Sequence, residues 1–363
     1  MVRRALPRLL ANGSGSVRLE EIYLVTRQLQ VLQHSGVPLL SSLRALQAQV
    51  ESPSMRRILQ RVHEDLLEGQ PLSQALARHP KAFNPVYVGL IRVGESGGLL
   101  SEVLLQLAEL LEWEIDVRER IKQALQYPLI VLLVLCGAMG VMAVFVLPRF
   151  ASLFQSFRIP LPWQTRLLII ISGLLRRYWW FMGLALFGAI GGWWAYLRTD
   201  GGRLRWHTWK LRLPILGPVF AKLAMSRFAR VTAALAGSGV PILETLTLAG
   251  ESVNNRYLRA KLEVVRQRVR GGGSLANAMK AEPAFPAIVT QMFATGEETG
   301  RLDELLRSVS AFYDQQVAYS VKRLITSLEP LLLVVVSLGV LIVATAVFVP
   351  MWDLVKVFKQ PGR

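Results

Sequence analysis

Residues 27–43 read RQLQVLQHSGVPLLSSL and residues 230–246 read RVTAALAGSGVPILETL, so the tetrapeptide Ser-Gly-Val-Pro recurs 203 positions on, Ser35 against Ser238. A single shared tetrapeptide carries little weight. At the same spacing, however, Gly69, Leu72, Ala75 and Pro80 meet Gly272, Leu275, Ala278 and Pro283. After one deletion, residues 93–100, VGESGGLL, meet residues 295–302, TGEETGRL, at a spacing of 202. That spacing persists: Pro128 meets Pro330 and Pro148 meets Pro350. The chain is an internal duplication, and each copy is a polar segment followed by an apolar one.

Within a copy the hydrophobic period is helical. Ile22, Val25, Leu29 and Leu32 recur at three and four residues, an apolar stripe that must pack on neighbours. Gly36 reads as the stop of that helix and Pro38 as the first position of the next, because glycine tolerates the left-handed turn and proline lacks a donor that the first helical turn does not need. Gly69 with Pro71, and residues 271–273, mark a second turn, and residues 93–100 a later one. Each copy is predicted to be a compact bundle of several helices, and the chain all-α.

Residues 128–147 and 330–349 contain no charged side chain, and about 20 residues at 1.5 Å rise cross the hydrocarbon layer of a bilayer. A third stretch, 178–197, is also uncharged and carries Tyr178, Trp179, Trp180 at one end and Trp193, Trp194, Tyr196 at the other, where interfacial aromatics are expected. The chain then divides into a flexible leader (1–19), a first helical domain (20–125), a span (128–148), a loop with an interfacial helix (149–177), a middle span (178–197), a second helical domain (203–326), a last span (330–350) and a short tail (351–363). Two spans separate the helical domains, so both occupy one side. Arg198, Arg203, Arg205, Lys210 and Arg212 flank the middle span as a cytoplasmic loop should, although the 149–177 loop also holds five arginines and no acid. The expectation is a polytopic membrane protein with cytoplasmic domains and with the loop and tail on the opposite side of the bilayer; the bacterial inner membrane and periplasm follow only from the family resemblance given below.

Apolar residues make up 52% of the chain and charged ones 18%, which agrees with lipid as part of the solvent. The net charge of +17 has no basic tract, zinc-finger spacing or aromatic-interleaved strand behind it, so an anionic membrane face and acidic partners are expected rather than direct nucleic-acid binding. The single cysteine, Cys136, lies in an apolar run and reads as a small buried hydrophobe; no disulfide within the chain can form. There is no phosphate-binding loop, and His34, His63, His79 and His207 have no second ligand at metal spacing. No cofactor, metal or catalytic group is expected, and the chain does not read as an enzyme. A permease or transporter subunit is the runner-up, weakened because the spans hold no Asp, Glu, Lys, Arg or His.

The duplicated Ser-Gly-Val-Pro turns, the duplicated Gly-Glu-x-x-Gly motif, and Tyr127-Pro128 and Glu329-Pro330 opening two of the spans resemble the type II secretion system protein F family, over residues 20–352. The resemblance implies an inner-membrane platform of a type II secretion or type IV pilus machine whose cytoplasmic domains are bundles of about six helices. Its implied partners are a cytoplasmic assembly ATPase, pilin or pseudopilin subunits, other inner-membrane components of the machine and further copies of the chain. This chain departs from the pattern in having only a short leader ahead of Glu20. Gly94, Glu95, Gly98 and their counterparts Gly296, Glu297, Gly300 are candidate partner or inter-domain contacts, with the alternative that the carboxylate merely stabilises a turn near the start of the following helix. Arg118, Arg120, Lys322 and Arg323 precede the spans and are candidate motor contacts or simple membrane anchors.

Overall fold

A computed structural model describes residues 17–142, 191–213, 217–253 and 255–359, with a few further positions between 145 and 189. Among the described residues every regular element is a helix. The first copy contributes six: α1 (Leu19–His34), α2 (Leu39–Gln49), α3 (Pro53–Leu67), α4 (Leu72–Ala77), α5 (Pro85–Gly97) and α6 (Leu100–Val141). A connecting helix, α7 (Asp200–Arg212), leads to the second copy, again six: α8 (Gly217–Gly237), α9 (Ile242–Ser252), α10 (Arg256–Arg270), α11 (Leu275–Lys280), α12 (Ala287–Thr299) and α13 (Leu302–Lys359).

The turn after α1 follows from Gly36, which takes the left-handed conformation at φ 77°, while Val37 N–H returns to the Leu32 carbonyl at 3.0 Å. Gly239, at φ 81°, repeats this with Val240 N–H on the Leu235 carbonyl at 3.0 Å. Pro38 and Pro241 occupy the cap position, one residue earlier than expected. The larger departure is at Pro128, Pro330 and Pro350. None opens or closes a helix: α6 runs through the first, and α13 through the other two as far as Lys359, so residues 351–359 of the expected tail are helical. Each internal proline deletes one backbone hydrogen bond, one in α6 and two in α13, a loss that helices of 42 and 58 residues tolerate.

The chain divides into two compact units, one formed by residues up to Glu119 together with His207–Ala318, the other by Arg120–Trp206 with Tyr319–Arg363. In the first unit one contiguous apolar core takes residues from both copies, among them Leu43, Leu59, Leu90 and Leu104 from the first and Phe228, Leu246, Val265 and Phe293 from the second. The copies meet where α5 packs on α9. Gly89 makes this approach possible, since a β-carbon there would lie 2.6 Å from Leu248 Cδ1.

Among the described residues, two helices are long and apolar enough to cross a membrane, α6 and α13, and their apolar parts belong to the second unit. They touch where Gly339 lies against Leu135. Their other faces leave Leu129, Leu133, Leu331 and Leu333 exposed, an arrangement that suits lipid and not water. Cys136 is exposed on α6 and not buried as expected, because the apolar run around it presents its surface outward. The expected loop 149–177 and leader positions 1–16 lie outside the described residues, as do 179, 182, 183, 186 and 190 of the expected middle span, whose other positions are helical. At 191–198 the backbone is helical, with Trp193, Trp194 and Tyr196 exposed.

Candidate functional site

The duplicated Gly-Glu-x-x-Gly motif closes a tertiary loop in each copy. Glu95 and Glu297 do not stand near the start of the following helix; they lie in the last turns of α5 and α12 and reach back to the beginnings of α4 and α11. Glu95 Oε1 accepts from Leu72 N–H, and Oε2 accepts from Ser73 N–H at 3.1 Å and Ser73 Oγ at 2.7 Å. Glu297 accepts from Leu275 N–H at 3.0 Å, Ala276 N–H at 3.0 Å and Ser274 Oγ at 2.9 Å. The first N–H groups of a helix have no partner inside it and carry its positive dipole end, so a carboxylate is the favoured acceptor. Pro71, which caps α4, offers no side-chain oxygen, and Glu95 supplies what is missing.

The flanking glycines have separate causes. A β-carbon at Gly94 would lie 3.0 Å from Val103 Cβ, and one at Gly296 would lie 2.9 Å from Leu302 Cα, so these positions let the next helix approach. Gly98 and Gly300 are the left-handed terminators, at φ 68° and 71°.

Burial pushes the Glu297 carboxyl up, but its bonds to Ala276, Leu275 and Ser274 together outweigh this and hold it below the ordinary value of 4.5. A depressed folded pKa means stability that is present above the unfolded pKa and lost as pH falls through the folded one. Glu297 is exposed, so solvent screening weakens these bonds and Glu297→Gln is expected to cost about 0.5 kcal/mol or less at neutral pH. The deficit should shrink as pH falls below about 4.5, as read by urea denaturation of both proteins across pH.

A second constellation joins the copies and was missed from the sequence. Asp314 on α13 accepts from Trp113 Nε1 on α6 at 2.8 Å and is also bonded by Ser226 Oγ and the Arg230 guanidinium, both from α8. Arg230 and Arg227 lie over the Trp113 ring, 5.2 and 5.8 Å from its centroid. Arg227 also pairs with Glu114 at 3.0 Å, and Glu114 takes Arg118 at 2.6 Å. Ser238 Oγ donates to Gln106 at 2.8 Å a little further along α6. The seam is a lattice of aromatic and charged groups whose members come from opposite repeats. Its only sequence signal is Trp113 between two glutamates, which by itself names no partner.

Of the basic candidates, Arg118 ends in this seam, on Glu114, although 62% of its side chain is exposed. Lys322 and Arg323 are exposed on α13. Arg118, Glu95 and Glu297 belong to the first unit, and Arg120, Lys322 and Arg323 to the second. Among the described residues no group of three His, Cys, Asp or Glu side chains could hold a metal. The arrangement suits mechanical coupling between bundles.

The family description Type II secretion system (T2SS), protein F matches residues 25–148 and again 228–350, the two copies defined above. The Type IV pilus assembly protein PilC of Myxococcus xanthus is 32% identical over 323 residues, 89% of this chain and 77% of that protein. PilC of Thermus thermophilus is 34% identical over 350 residues, 95% of this chain and 84% of its own length. The Type II secretion system protein F of Aeromonas hydrophila is 32% identical over 336 residues, covering 92% and 86% respectively.

Proposed function

The chain belongs to the type II secretion system protein F family, and from that premise we propose that it is the inner-membrane platform of a type II secretion or type IV pilus machine. In this reading both bundles face the cytoplasm, a middle span over 178–197 returns the second copy to the side of the first, and the chain itself performs no catalysis. It couples a cytoplasmic assembly ATPase to the polymerisation of pilin or pseudopilin subunits. Arg120, Lys322 and Arg323 serve as headgroup contacts where α6 and α13 enter the bilayer.

The observation that carries this reading is the continuity of α6 and α13. Each is one helix from a core-packed first turn to an apolar second half, 42 and 58 residues long. A helix rises 1.5 Å per residue, so the 42 residues of α6 follow about 63 Å of helical path with no intervening loop. A displacement imposed on a bundle is passed along such a rod instead of being absorbed in a loop. The seam around Asp314 ties the two rods together below their apolar segments in sequence, so a push on either copy loads both.

Deleting the gene is expected to abolish surface pili, or export through the pseudopilus, while leaving the pilin subunits in the membrane. The full chain supplied in trans should restore assembly. Normal fibre assembly without the chain would end this proposal.

A further inference from the structure

The first repeat carries a cleft of about 570 Å³ between α3 and the segment that follows α4. At roughly 30 Å³ per water molecule this is far more room than bound solvent needs. Ile58 and Pro80 contribute to an apolar floor, and Arg57, Arg61, Arg78 and Lys81 stand around it. Four cations therefore stand around the cleft, and Asp65, which is not part of its lining, engages Arg78 alone among them. Arg57 donates to the Pro53 carbonyl, which leaves its charge uncompensated, and among the described residues no ion pair engages Arg57, Arg61 or Lys81.

Such a cluster has a cost. Arg57 and Arg61 are one turn apart on α3, a like-charge spacing that works against the helix. His79 in the same cleft is held below its ordinary pKa by burial first, then by Arg61 and Arg78, with Asp65 pulling the other way.

The second repeat shows that the fold does not require these charges. At a spacing of 203, Arg57, Arg61 and Arg78 correspond to Ala260, Val264 and Ala281, and His79 to Glu282. Glu282 is 6% exposed and is held by Lys261 at 3.0 Å and Arg268 at 3.2 Å, so the second copy neutralises itself internally. The one-residue difference in length between the copies also falls here, between Pro80 and Phe83, and leaves Lys81 or Ala82 without a counterpart. The duplicate thus acts as an internal control. At the positions of Arg57, Arg61 and Arg78 the same scaffold, in the same chain, carries positive charge on one copy only.

We propose that this cleft is a docking site for an acidic segment of a partner protein, in which carboxylates flank one apolar side chain. Carboxylates match the guanidinium forks on the rim, and the apolar side chain fills the floor. Residues 1–16 carry Arg3, Arg4 and Arg8 and no acid, so they do not supply the carboxylates that this rim calls for. A lipid headgroup would satisfy the rim alone and leave the floor without a side chain. The proposal goes beyond the platform reading and does not rest on it.

The test uses the full chain in phosphatidylcholine nanodiscs and a fluorescent peptide, Glu-Glu-Leu-Glu-Glu, followed by anisotropy. Arg57→Glu with Arg61→Glu is expected to weaken binding by roughly tenfold or more, while Arg57→Lys with Arg61→Lys retains most of it. Should the double reversal not fold, the exposed Lys81→Glu carries the same expectation in kind. Replacing the peptide's leucine by glycine should also weaken binding. Unchanged affinity in a folded charge-reversal variant would overturn the proposal. So would equal binding of the glycine peptide, which would mean bulk electrostatics only, or displacement of the peptide by phosphatidylglycerol vesicles but not phosphatidylcholine ones, which would make the cleft a membrane site.

Discussion

Asp314→Ala is expected to destabilise the protein by about 2–3 kcal/mol, read as a lower urea midpoint for the full chain in detergent. Asp314 accepts hydrogen bonds from Trp113, Ser226 and Arg230, so its removal strands a guanidinium and an indole N–H at once. Breaking a buried pair from one side costs about 3–5 kcal/mol. The figure is lowered here because the Arg230 and Asp314 side chains are 28% and 27% exposed. Arg230 Nε is already buried with no hydrogen-bond partner, so the guanidinium has little to fall back on besides the Trp113 ring. If the loss comes from the stranded cation, then adding Arg230→Met to Asp314→Ala should recover part of it. A double variant that is worse than either single one by their simple sum would show that the seam is not one coupled network.

The same residues show what could be read in advance. The duplication, the helical period and the stops at Gly36 and Gly239 are local or translational patterns, and such patterns survive in a linear string. Glu95 was visible as a candidate but its partner was not, because the chain returns to Leu72 and Ser73 through a turn, across 22 or 23 positions, that no periodicity specifies. The seam is further from view. Trp113 and Asp314 are 201 residues apart, close to the repeat spacing, yet they are partners and not counterparts: repeat arithmetic says which residues are equivalent, not which ones touch. Proline misled for a related reason. At Pro128 and Pro330 the local rule reads as a helix start, whereas α6 and α13 have enough turns on either side to continue through the missing bond.

Phe293→Ala should cost about 3–5 kcal/mol, the range for emptying a fully buried aromatic site. The ring is 0% exposed and stacks on Phe228 with centroids 5.8 Å apart, and Phe228 in turn lies 6.1 Å from Phe285, so the neighbours are stiff and the cavity cannot collapse cheaply. The more informative readout is where protection is lost. Phe293 belongs to the second copy, but the core it sits in also holds Leu90 and Ile91 on α5 of the first. If that core is one cooperative unit, hydrogen exchange in the variant should accelerate along Pro85–Gly97 as well as within the second copy, because neither bundle can open while the other keeps its contacts. Faster exchange confined to residues 217–318 would mean that the repeats fold and open separately. A motion of one copy could then be dissipated before it reached the other, and the mechanical role assigned to the seam would lose its basis.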